Sequence, residues 1–230
     1  RNLDDSEISD TIVICHQSKL WRATTFLDLN GPIFGEEQTL AHGIVPSSSP
    51  QGLVSAGTMP GQPVPAGTFG HLVVPAQTVP NHQYISAYYL TFDHWYHLDS
   101  TVSGGGDGTW VEYRLQSDSN WGNWSYIEPQ GGYPSTLSTD APIPTGASSP
   151  VPVFASDSHS GWVNSNFSLS SLPGIDQADN IQFRFVIWTH PDSTNERPGW
   201  FIDHIETTNE GVDLDVWHHG CYTTTASSCT

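Results

Sequence analysis

Apolar and polar residues alternate with a period of two along four stretches of this 230-residue chain. In 85–98, Leu90, Phe92, His94, Tyr96 and Leu98 share one side, and Tyr89, Thr91, Asp93, Trp95 and His97 the other. Aromatics on both sides predict a central strand covered on each face. In 110–116, Val111, Tyr113 and Leu115 fall inward, and Trp110, Glu112, Arg114 and Gln116 outward. Residues 181–188 give the cleanest alternation through Ile181, Phe183, Phe185 and Ile187, and 199–206 supply a last core strand. The glycine run at 103–108 predicts a hairpin turn, and Trp121 and Trp124 flank a second turn at Gly122-Asn123. Shorter β-branched or alternating runs at 11–15, 20–29 and 212–217 also read as strands. Proline, glycine and serine fill 30–70 and 130–157, so both stretches read as irregular loops. Helix signals are almost absent, and no repeat of 20–50 residues is visible. The pattern predicts an all-β, antiparallel β-sandwich.

Four segments, in their order, resemble the MAM-like, immune-inhibitor-A-type jelly-roll module found beside secreted metallopeptidases and in adhesion proteins. They are Phe92-x-x-Trp95-Tyr96, an Asp107-Gly108 hairpin followed by Trp110-Val111-Glu112, Phe183-Arg184-Phe185, and Gly199-Trp200-Phe201-Ile202-Asp203-His204-Ile205. Leu72-Val73-Val74-Pro75 and the Gly161-Trp162-Val163…Phe167-Ser168-Leu169 segment fit the same order. The family commonly carries two acidic residues before the final Ile; here His204 holds the second place. The resemblance covers 72–206. It implies a jelly roll of the concanavalin or galactose-binding type, exported to the cell surface or beyond, that binds or adheres and does not catalyse. Residues 1–71 then form an N-terminal arm and loop-rich extension packed on the sandwich. Residues 207–230 add a terminal strand and a cysteine tail to one compact domain.

Charge narrows the partners. The formal net charge of −18 comes less from 24 acidic residues than from a lack of bases: Lys19 is the only lysine, beside Arg1, Arg22, Arg114, Arg184 and Arg197. Nucleic acid, which demands clustered Lys and Arg, is excluded as a partner. High-salt adaptation, divalent-cation binding and colloidal repulsion all fit the excess of acid. No apolar run approaches the ~20 residues of a membrane helix. The chain begins at Arg1 and reads as a processed or trimmed product. Cys221 can pair with Cys229 or with Cys15, leaving one thiol over.

Candidate chemistry is sparse. Asp203 is expected on one face with Phe201 and Ile205, where a carboxylate needs backbone N–H donors or a cation. Calcium is the cofactor this suggests, with Asp93 and Asp107 as further ligands. His94 and His97 face opposite sides and cannot chelate one ion; like adjacent His218 and His219, they read as packing or surface groups. There is no His-Glu-x-x-His and no Gly-x-Ser-x-Gly, and nothing brings two carboxylates to glycosidase spacing, so no enzymatic activity is expected. Trp110, Trp121, Trp124 and Tyr126 lie close together and can stack on sugar faces or on a partner protein. Asn123 and Asn166 begin N-glycosylation sequons.

Two functions follow. The first is a non-catalytic extracellular module for adhesion or self-assembly, a filament subunit joined by exchange of the terminal strands at 11–15 and 212–217. The alternative is a carbohydrate-binding accessory domain of a secreted hydrolase, using the four aromatics.

Overall fold

Phe183, Phe185, Ile181 and Ile187 are fully buried, as their alternation requires, and they build one wall of a two-layered β structure. The computed structural model describes residues 21–25, 54–58, 63–80, 85–100, 106–137, 140–156, 161–195 and 197–211. Its strands are β1 (Trp21–Thr25), β2 (Val54–Thr58), β3 (Phe69–Val73), β4 (Gln77–Thr78), β5 (Ile85–His97), β6 (Gly108–Ser117) and β7 (Asn120–Trp121). There follow β8 (Ser125–Ile127), β9 (Ser135–Thr136), β10 (Pro152–Val153), β11 (Val163–Ser168), β12 (Asn180–Trp188) and β13 (Gly199–Gly211). Among the described residues a 3-10 turn, Ile175–Gln177, precedes β12. Among the described residues no helix is long and apolar enough to cross a membrane.

One sheet runs β1-β2-β13-β5-β11, hereafter the β5 sheet. A second runs β3-β12-β6-β7, with β4 also on β12 and β8 on β6; this is the β12 sheet, and β9 and β10 form a separate two-stranded pair. All pairings between these strands are antiparallel. The fold is therefore an all-β antiparallel sandwich. Its core lies where the inner faces meet. Phe92 of β5 packs edge-on against Phe185 of β12 (ring centroids 5.0 Å apart), and Trp200 of β13 lies 5.7 Å from Phe185. Burying each such ring contributes roughly 1.5–3 kcal/mol.

The outer face of the β12 sheet carries a second apolar cluster. Trp110, Val186 and Trp188 pack under Leu137, Val151 and Val153 from the proline-rich stretch after β8. This segment forms a roof despite its irregular backbone. Tyr133 ties it down: its hydroxyl accepts from the Val111 N–H (3.0 Å) and donates to the Ile127 carbonyl (2.9 Å). Roof and floor approach so closely that a Cβ on Gly108 would sit 2.6 Å from both Leu137 Cδ2 and Val153 Cγ2.

Besides the hairpin expected at 103–108, which does not form because β5 and β6 lie in different sheets, two expectations need correction. The loop reading of 30–70 fails at β2, a strand between β1 and β13 in which Ala56, Gly57 and Thr58 are buried and whose Ser-Ala-Gly-Thr sequence shows no apolar–polar alternation. Thr58 lies against the turn at Gly199: its Oγ1 accepts from the Trp200 N–H at 2.8 Å. Gly199 has φ +95° and a Cβ there would collide with Thr58 and Val64, so glycine is required on both counts. The second correction concerns Ile205. Asp203 pairs with Asp93 and Glu206 with Thr91, so three steps along β13 span two along β5. This β-bulge, with His204 at φ 49°, turns Ile205 back onto the main core and leaves Phe201 and Asp203 on the outer face.

The strands expected at 11–15 and 212–217, and Cys15, Cys221 and Cys229, lie outside the described residues.

Candidate functional site

Beyond the roof, the outer face of the β12 sheet is open, and a ladder of rings and cations runs across it. Strand register builds it. Glu112 lies opposite Arg184, Arg114 opposite Gln182, and Gln116 opposite Asn180, so all six side chains share one face. Trp121 pairs with Gln116 from the next strand, and Trp124 sits in the turn between β7 and β8. The Arg114 guanidinium lies 4.6 Å from the ring centres of both Trp121 and Trp124. Arg184 takes the same distance from Trp124. Each such contact contributes about 0.5–1 kcal/mol where exposed and more where water is excluded.

Hydrogen bonds lock the ladder. Buried Glu112 accepts from Trp110 Nε1 (2.7 Å) and Arg184 Nε (2.7 Å), and also contacts Arg184 Nη2. Arg114 donates through Nε (3.0 Å) and Nη2 (2.6 Å) to the one Oε1 of Gln182, whose Nε2 donates to the Val74 carbonyl (2.9 Å). Asn180 Nδ2 donates to Gln116 Oε1 at 2.8 Å. Burial, then the neighbouring charge of Arg184, pull the Arg114 pKa below its ordinary value. Burial first, and Arg184 second, likewise hold His71 on adjacent β3 below the usual imidazole range, favouring its neutral form. Trp121, Trp124, Arg114, Gln182 and Asn180 are all half-buried and reach solvent. A cleft of about 540 Å³ opens along the other side of β8, lined by Tyr113, Ser125, Glu128, Gln130, Ser168 and Ser171 among others.

Of the four aromatics expected to bind ligand, the structure brings Trp121 and Trp124 together in the open. Trp110 is 1% exposed beneath the roof, and Tyr126 is buried with its hydroxyl donating to the Pro152 carbonyl (2.7 Å), so neither presents a ring face. Alternation assigned Trp110 to the outer face correctly, but nothing in it announced a roof. Sequence reading passed over the arginines and amides. Their outward positions were visible; the register that sets Gln182 beside Arg114 was not.

The expected metal ligands divide. Asp93 and Asp203 do face each other across β5 and β13. Asp93 is 3.5 Å from His204 Nδ1 and accepts from Asn164 Nδ2 at 2.9 Å, while Asp203 accepts from the His204 N–H at 2.8 Å. Asp107 belongs to another group: it accepts from the His190 N–H (2.8 Å) and the Asp99 N–H (3.2 Å). Burial raises its carboxyl to about 6, against the pull of those two N–H groups. Among the described residues no three His, Cys, Asp or Glu converge on a possible metal position. His94 is a core residue whose pKa burial drives down to about 3. Trp200 Nε1 donates to its Nδ1 (3.1 Å), so Nε2 carries the proton and donates to Ser165 Oγ (2.9 Å). Of the sequon asparagines, Asn123 is exposed on the Trp121–Trp124 turn, and Asn166 is half-buried on β11.

No family model matches this chain, and no curated protein sequence matches it.

Proposed function

We propose that this protein is a non-catalytic glycan-binding module, exported from the cell, whose binding surface is the open half of the β12 sheet. The observation that carries this reading is the pair Trp121 and Trp124, half-exposed and held in fixed planes by Arg114 on a face that also presents Gln182, Gln116 and Asn180. Flat rings favour the apolar faces of sugars, and carboxamides and guanidinium N–H groups match their hydroxyls. Rings locked before the ligand arrives lose little entropy on binding. Trp121, stacked against one guanidinium where Trp124 meets two, is the ring assigned to sugar stacking. The filament reading depends on the terminal strands at 11–15 and 212–217, which lie outside the described residues; the open Trp121–Trp124 face is what supports the carbohydrate reading. Screening the purified protein on a glycan array, with Trp121→Ala beside it, tests the proposal. Saturable binding of a glycan set that the variant loses is expected. A folded protein that binds no glycan overturns it.

A further inference from the structure

The open ladder holds a charge imbalance. Arg184 is matched by Glu112, which also takes the Trp110 N–H, leaving that carboxylate fully engaged. Among the described residues no carboxylate pairs with Arg114; its hydrogen-bond acceptor there is the neutral Oε1 of Gln182, which occupies the Nε–Nη2 edge. The Nη1 side of the fork carries further N–H donors. The adjacent Arg184 charge repels this cation, and His71 leans toward its neutral form and adds little positive charge. A chain with only six Lys and Arg residues thus places two of them on one small patch, where the described residues supply one counter-charge.

We propose that Arg114 receives a carboxylate of the ligand, so that the glycan recognised carries an acidic sugar of the uronic- or sialic-acid type. This rests on the glycan-binding reading above. Planar guanidinium N–H pairs match the two oxygens of a carboxylate, and such charge-assisted contacts are about twice as strong as neutral ones. Trp121 then stacks on the ring of the same or the neighbouring sugar. The net charge of −18 sets the density of negative charge that is tolerated. Repulsion from the rest of the surface opposes a densely sulfated polymer, whereas screening over about 8 Å at physiological salt leaves a single carboxylate free to engage at contact range.

The experiment compares acidic glycans with their carboxyl-reduced counterparts on the array, and then by titration calorimetry, for the wild type, Arg114→Gln, Arg114→Lys and Trp121→Ala. Melting temperatures verify that each variant is folded. The wild type is expected to prefer the acidic member at least about tenfold. Arg114→Gln removes that preference, and Arg114→Lys, a charge without the planar fork, retains part of it. Should Arg114→Gln fail to fold, the Lys variant alone decides, since it must reduce the preference. Equal binding of acidic and reduced glycans, or an acid preference untouched by both Arg114 variants, overturns this inference and leaves the glycan-binding reading standing. Absence of glycan binding by the folded wild type overturns both.

Discussion

The outer face of the β12 sheet is one continuous surface with two fates. At one end Trp110, Val186 and Trp188 lie beneath the chain's own proline-rich segment. At the other, Arg114, Gln182, Trp121 and Trp124 stay open. Strands, register and alternation are the same throughout. The side chains differ: the apolar end gains by excluding water, while the polar end pairs many of its N–H groups within the ladder, leaves the Nη1 side of Arg114 to solvent and costs little to leave wet. Glu112 stands at the seam, reaching Trp110 on one side and Arg184 on the other. A sheet face can thus hold a roofed apolar cluster and an open polar ladder within a few residues of each other.

Substitutions that treat the two ends alike break the contrast or sharpen it. Trp110→Ala, at the closed end, is expected to destabilise by about 3–5 kcal/mol in denaturant unfolding. A loss under 1 kcal/mol would mean that the roof contributes little. The next effect is pH dependence at the same end. Asp107, adjoining Gly108, has a folded pKa raised to about 6 from an ordinary 3.8. The folded state therefore binds the extra proton between those values, and this group's stabilisation, complete at lower pH, falls by roughly 2–3 kcal/mol as pH rises through about 4 to 6. His94 acts oppositely. Its folded pKa is lowered to about 3 from 6.5, so its contribution is present above 6.5 and lost as pH falls toward 3. The difference in unfolding free energy between wild type and Asp107→Asn, measured across pH 4–8, isolates the Asp107 slope.

Gly108→Ala forces a methyl between roof and floor and is expected to cost about 1–3 kcal/mol, read as a lowered melting temperature. An unchanged value would show that Leu137 and Val153 yield freely. The smallest effect belongs to the open end. Trp121→Ala should shift stability by less than about 1 kcal/mol, one exposed cation–π contact, in the same denaturant measurement. A loss as large as that of Trp110→Ala would make the ladder part of the core and remove the distinction between the two ends.

The legible part of this molecule was what periodicity controls. Phe183, Phe185 and Ile187 alternate without interruption, and they are core. Trp95 and His97, on the far side of β5 from the main core, are buried too, as a central strand with aromatic residues on both faces demands. What periodicity does not encode was lost. A period of two states which side a residue takes and is silent about what covers that side, so Trp110 read as available when it is roofed. β2 escaped notice because Ala56 and Gly57 offer no alternation; their small size answers to Ile202 and Phe201, opposite them on β13. A bulge adds one residue and inverts the phase after it, which is why Ile205 was assigned to the wrong face. The ladder of rings and cations depends on register between strands about seventy positions apart, information that no local window contains.

The bond from the Trp200 amide to Thr58 has a temporal consequence. It spans 142 positions, and β2 joins its sheet only through β13, the last strand of the described chain. During synthesis β1 and β2 precede β13 by more than a hundred residues, and among the described strands β13 alone links them to the rest of the sheet. Closing so long a loop is entropically slow. Docking of β1 and β2 onto the β5 sheet therefore waits for β13, and a chain truncated before Gly199 would leave these two strands without the partner that joins them to it.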